Sequence, residues 1–326
     1  MFGRLFGRGG ERPGDPYALP VPRRKNGMYT VQALGDTRVS ALLEAARAGD
    51  WEAVKAGLAP FDLGRDHQVL GELADVDGVE EWIGRAVEED KEHRPEALLV
   101  SGARHIVWGW EARTSARAVD VSREQWQVFH ERLHLAEQQL LEAAELRPEW
   151  VTPWRRLLTS GRGMSLGDTV NETRFEAGLR REPLSLELHT EWLSHLQPRW
   201  GGEQGAALAF AREASARAPE GHRLGCLVAM AHIEEWVESD DQECLDRPEI
   251  QSELAEAARR SILHPDYERL PGWHGDFNIF AMALALSAES TVCRRVFHEL
   301  DGAYTEWPWT YMARPEKMYA LYRRHA

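Results

Sequence analysis

Apolar residues recur at helical spacing along almost the whole chain. Val39, Leu42, Leu43 and Ala46 form one stripe; Gly49 breaks it, and Asp50 is placed to cap a second helix carrying Trp51, Val54 and Leu58. Residues 94–118 read as one long helix. Ser122 and Gln125 then have the spacing of a capping box, in which each side chain satisfies the other residue's backbone N–H. Trp126, Phe129, Leu133, Ala136, Leu140 and Ala143 follow at steps of three and four, and Pro148 ends the run. The same pattern predicts helices at 168–181, 184–196, 203–217, 221–238, 249–263, 275–288, 290–300 and 315–324. No segment sustains a period-two alternation, so no strand is expected. Short connections predict antiparallel neighbours. The acidic SDDQECLDRP, residues 239–248, reads as a surface loop.

This pattern begins near Asp36. Residues 1–27 are rich in Gly, Pro and Arg without apolar period, and are expected to form a flexible basic tail. Residues 28–326 then form a single all-α domain.

Composition narrows the function classes. The chain has 326 residues, 43% hydrophobic, with 13 tryptophans, enough for a sizeable core. No apolar run approaches the ~18 residues of a membrane span, so no integral membrane segment is expected. The opening stretch lacks the apolar region of a secretory signal, and Cys226, Cys244 and Cys293 are an odd set without CxxC spacing. Both point to the cytoplasm. A net charge of −14 opposes nucleic-acid binding, which needs a basic footprint.

The segment FNIFAMALALSAESTVCRRVF resembles a tetratricopeptide repeat. Phe277, the large–small pair Phe280 and Ala281, and Leu284 occupy the core positions of its first helix; Cys293 and Phe297 occupy the small and large positions of its second. Partial copies recur at Ala136, Leu140, Ala143 and Pro148, continuing to Trp154 and Leu157, and again at Ala207, Ala211, Ala214 and Pro219. Gly49-Asp50-Trp51 with Val54 and Leu58 fits more loosely. The small positions at 54, 136, 207 and 293 are each separated by about two hairpins of ~34–45 residues. QPRWGGEQGAALAFA and the C-terminal NIFAMALAL, VFHEL and EWPW are also similar to an uncharacterised bacterial family with such repeats. The resemblance implies a superhelical array of antiparallel hairpins (TPR-like). It also implies a habit of binding a protein or peptide as a non-catalytic adaptor or scaffold, and carries no catalytic residue or cofactor.

The one chemically loaded motif is His130-Glu131-Arg132-Leu133-His134, the H-E-x-x-H pattern of zinc proteases. The metzincin continuation needs Gly and His where Glu137 and Leu140 stand. By helical phase both histidines flank the apolar stripe. If helices 94–118 and 122–147 pair antiparallel with facing residues summing to about 240, His105 lies near the level of His134. A His105–His130–His134 metal site of an all-helical hydrolase or transferase is therefore the alternative reading. Asp240-Asp241 resembles the aspartates of terpene synthases, but Cys244 stands where a third carboxylate is needed. In GWHGDFN, Asp276 or a neighbour is expected to cap a helix, and His274, Asp276 and Asn278 could form a polar cluster. No phosphate-binding loop is present. A short helix starting at Pro315, with Met318, Tyr319 and Tyr322 on one side, is expected to seal the C-terminal end.

Overall fold

The computed structural model describes residues 16–20, 26–114, 116 and 118–326. Most of residues 1–27, read as a tail, lies outside these. Within that stretch, Ala18 bridges to Asp36, Leu19 N–H donates to Gly35 O, and the Arg38 guanidinium covers the Tyr17 ring at 3.8 Å. This part of the segment is held against the first helix.

Fifteen α-helices follow among the described residues. They are α1 Thr37–Arg47, α2 Trp51–Leu58, α3 His67–Ala74, α4 Val79–Glu89, α5 Arg94–Arg113, α6 Arg123–Leu146, α7 Thr152–Gly163 and α8 Asp168–Leu179. Then come α9 Leu186–His195, α10 Ala206–Arg217, α11 Cys226–Glu238, α12 Pro248–Arg260, α13 Trp273–Leu286, α14 Ser290–Leu300 and α15 Pro315–His325. The protein is all-α. None of these helices is long and apolar enough to cross a membrane.

Caps start the helices where the sequence placed them. Asp50 accepts from Ala53 N–H at 3.0 Å, and Ser122 and Gln125 form the reciprocal box. The long helix stops at Arg113 and not at 118, because Thr114 takes a left-handed φ of 64°. α5 and α6 pair antiparallel in the expected register. A Cβ on Gly102 would sit 2.8 Å from Leu140 Cγ, and one on Gly109 would meet Arg132 and Phe129. Small residues at these crossings let the two backbones close up.

Two short strands, β1 Tyr29–Thr30 and β2 Ala303–Tyr304, pair in parallel. Sequence pattern predicted none, since two residues cannot show an alternation. Gly302, at φ +88°, has Gly27 O only 2.3 Å from where a Cβ would be, so only glycine allows this approach. The pairing brings the start of the helical domain to its C-terminal end.

The core falls into clusters. One gathers buried residues from Ala33 to Leu157; another gathers Met28 with residues from Leu186 to Tyr319. Val151, Leu158, Phe175 and Leu188 form a smaller one on α7–α9. Between the two large clusters the packing turns polar.

Candidate functional site

α3 is short and two-sided. Asp66 caps it, accepting from Val69 N–H at 3.1 Å, and Val69, Leu70, Leu73 and Ala74 are buried. The spacing of four then puts His67, Gly71 and Asp75 on one line, with Gln68 and Glu72 beside it. That polar line faces a cavity of about 600 Å³. Arg155 and Arg156 of α7 supply the facing wall. The first turn of α9 contributes Glu187, the start of α13 contributes His274, and residues 30–34 and 305–306 close the remaining sides. Gly272 N–H donates to Leu34 O at 3.1 Å, which fixes the N-terminal segment over the opening of α13. A cavity at the junction of two cores is where ligand sites commonly occur.

Behind it runs a buried ionic network. Arg223 donates to Asp276 through Nε (2.6 Å) and Nη2 (3.0 Å), and to Glu187 through Nη1 (3.0 Å). Tyr267 O–H donates to the same Asp276 at 2.7 Å. With the Gln68 amide oriented to satisfy its neighbours, its nitrogen donates to Pro271 O and its oxygen accepts from Arg223 Nη2. Burial opposes the charge on Glu187, yet Arg223 outweighs it and holds the carboxyl at about 2. Burial likewise opposes the Arg223 charge, and Asp276 and Glu187 override it and raise its pKa. Asp276 is therefore an ion-pair acceptor and not the expected cap. Gly272, left-handed at φ 82°, starts α13, and Asn278 turns to donate to Ala303 O at 3.1 Å and accept from Trp309 Nε1 at 2.8 Å.

Three nucleophilic side chains, Ser185, Cys226 and Cys293, are buried. Ser185 Oγ lies 3.3 Å from His67 Nε2, and the Glu182 carboxylate approaches that same nitrogen at 4.0 Å. A serine–histidine–carboxylate relay needs the carboxylate on the other ring nitrogen, and His67 Nδ1 has no partner. Ser185 also caps α9 and is 3% exposed. Burial raises the thiols of Cys226 and Cys293, the latter to about 12, so neither is a thiolate near neutrality.

The buried histidines predict acid sensitivity. Burial, reinforced by nearby arginines, lowers His67 to about 3, and His105 and His274 to about 4. An unfolded chain binds protons at these rings below about pH 6.5, while the folded chain excludes them. Stability is thus fully present above pH ~6.5 and falls as pH drops towards ~4. Each ring costs about 2 kcal/mol at pH ~5; Asp66, Glu72 and Glu182, raised chiefly by burial, take up protons in the folded state and return part of this. Urea unfolding should show a loss of about 3–6 kcal/mol between pH ~7.5 and pH ~5. A flat profile over that window would contradict the burial assigned to these rings.

A second feature lies on the α5–α7 side. The Arg113 guanidinium sits between Trp126 (5.4 Å) and Trp110 (5.5 Å); Trp110 meets Trp200 edge-on at 6.0 Å, and Arg162 covers Trp200 at 5.5 Å. All five side chains are partly exposed. They form one continuous strip of aromatic and cationic groups drawn from α5, α6, α7 and the short 3-10 helix Pro198–Trp200. Glu191 joins the strip to the cavity, pairing with Arg162 at 3.0 Å and Arg155 at 2.8 Å.

The H-E-x-x-H residues lie elsewhere. His130 is exposed and stacks on Trp126, with ring centroids 5.5 Å apart; His134 is exposed. His105 is buried on α5, stacked on Trp108, whose other contact is the Arg132 guanidinium at 3.6 Å. Among the described residues no three His, Cys, Asp or Glu side chains are gathered so that they could hold a metal ion. Asp240 and Asp241 sit in the 239–247 loop, where Asp241 accepts from Glu243 N–H.

The chain matches no family model, no curated protein and no solved structure.

Proposed function

We propose that the chain is a non-catalytic adaptor whose helices stack as TPR-like hairpins and whose Trp–Arg strip receives a protein or peptide partner. The strip carries this reading. Tryptophan and arginine dominate the residues that contribute most to protein interfaces, and here they are contiguous and half-buried, so little ordering remains to be done on binding. The repeat-like stacking is supported by packing of consecutive helices, α1 on α2, α10 on α11 and α13 on α14. It is supported too by burial of the small and large positions Ala136, Leu140, Ala207, Ala211, Phe280, Ala281 and Phe297.

A photo-crosslinking residue in place of Arg113 should capture one defined polypeptide in the native host. The same residue in place of Arg259, exposed on α12, should not. Trp200→Ala should weaken the captured complex by about 2 kcal/mol, roughly thirtyfold, without altering the helical circular dichroism. Equal labelling from both positions would refute the strip as a docking face.

A further inference from the structure

The cavity beneath α3 poses a separate question, because one of its buried cations has no direct partner. Arg156 is 6% exposed, yet its Nε and Nη2 make no hydrogen bond, and Glu191 and Asp75 act on it only from beyond salt-bridge distance. Arginines this buried are almost always paired, since an uncompensated charge away from water is expensive. Its neighbour Arg155 is already neutralised by Glu191. Burial, with repulsion from Arg155, brings the Arg156 guanidinium down to about 9, so it remains a cation at neutral pH. The opposite wall is acidic. Glu72, half-buried on α3, and Asp75, exposed just beyond its end, line the same cavity without a hydrogen bond or salt bridge from their carboxylates, and burial raises the Glu72 pKa, with Asp75 adding to it. Between the two walls lie the His67 and His274 rings, neutral at pH 7 and each with an unpartnered Nδ1, and the Glu187 carboxylate, already paired with Arg223.

An anion alone would meet Arg156 but be repelled by Glu72 and Asp75. A cation alone would meet the carboxylates but be repelled by Arg156. A dianion such as phosphate would bring two negative charges to a site with one unpaired arginine and two carboxylates. One ligand type satisfies both walls. We propose that this cavity binds a small zwitterion with one carboxylate and one protonated amine, the carboxylate on Arg156 and the ammonium towards Glu72 and Asp75. A planar guanidinium matches a carboxylate's two oxygens, and the pair strengthens in a site shielded from water. The volume of about 600 Å³ lies in the range of small-molecule sites and admits a side chain beyond the α-amino acid head. This inference is independent of the strip: the adaptor reading can fail while the cavity still binds, and the reverse.

The test titrates the full-length chain with each free α-amino acid and with β- and γ-amino acids. Acetate, ethylammonium and inorganic phosphate serve as single-charge and dianion probes, and binding is read by calorimetry and by shift in melting temperature. At least one amino acid should bind at millimolar concentration or below, while acetate, ethylammonium and phosphate should not. Arg156→Met should weaken that binding about tenfold or more, as expected on losing a charge-assisted pair. Unliganded, this variant should melt close to the parent, because the removed guanidinium gives up no hydrogen bond from Nε or Nη2 and no salt bridge. Glu72→Gln, a change at the partly exposed mouth, should also weaken amino-acid binding while leaving the fold intact. Absence of binding by every amino acid, tighter binding of phosphate, or amino-acid binding insensitive to both substitutions would each overturn the assignment.

Discussion

Asp276→Ala is expected to cost about 3–5 kcal/mol of unfolding free energy at neutral pH, the range for breaking a buried ion pair from one side. Asp276 is 2% exposed and accepts three hydrogen bonds, two from the Arg223 fork and one from Tyr267. Its loss leaves the Tyr267 hydroxyl without this acceptor and Arg223 with Glu187 as its remaining carboxylate. The cost arises from stranded partners more than from the lost bonds themselves. Replacing the group as a unit, Arg223→Met with Asp276→Leu, Tyr267→Phe and Glu187→Met, should therefore be milder than the single change, since neither a donor nor a carboxylate is stranded. Urea unfolding of both proteins reads the comparison. A single substitution costing under about 1 kcal/mol, the level of a solvated surface pair, would mean that the network is hydrated and not a closed unit.

That network also shows where sequence reading ran out. The α5–α6 hairpin was legible down to its register, because a long apolar stripe and a capping box are local signals. So were the starts of α2 and α6. The short helices α3 and α4 were not singled out, since eight to eleven residues of mixed character give too few turns to establish a period. The cavity was less legible still. Its groups come from positions 67, 72, 155, 156, 187 and 274, and nothing local ties them together. Arg155-Arg156 reads as a solvated charge doublet until α3 is laid across it. GWHGDFN offers the nearest signal, and its acidic residue near a helix start predicts a cap. The left-handed Gly272 took the starting role and freed Asp276 to face Arg223. The H-E-x-x-H pattern erred in the other direction. A motif written on one helix says nothing of the third group, and α6 turns both histidines to solvent while its Phe129–Ala143 stripe fills the core.

Deleting residues 313–326 should have the largest effect of all. It removes α15, whose Tyr319 is fully buried against Phe297 and Tyr304, each at 5.5 Å between ring centroids, and Trp309 at 5.3 Å. The Tyr319 hydroxyl donates to Ala303 O at 3.0 Å, so the same side chain anchors β2 beside β1. Arg323 ties the helix to the N-terminal segment by donating to Asn26 O at 3.1 Å. Trp309, now fully buried, would face water, and burial of each large apolar side chain contributes about 1.5–3 kcal/mol. Several such groups are lost together, and the strand pair that closes the two ends loses its support. At about 2–4 °C per kcal/mol, the melting temperature should fall by about 10 °C or more, or the protein should aggregate through its uncovered end. Two point variants separate the contributions. Tyr319→Ala should reproduce about 3–5 kcal/mol of the loss by emptying an aromatic site, whereas Tyr319→Phe should cost about 1 kcal/mol, the hydrogen bond alone. A truncated chain that melts with the intact one would show that α15 rests on the body without sealing it, and that the helix is free to serve a partner.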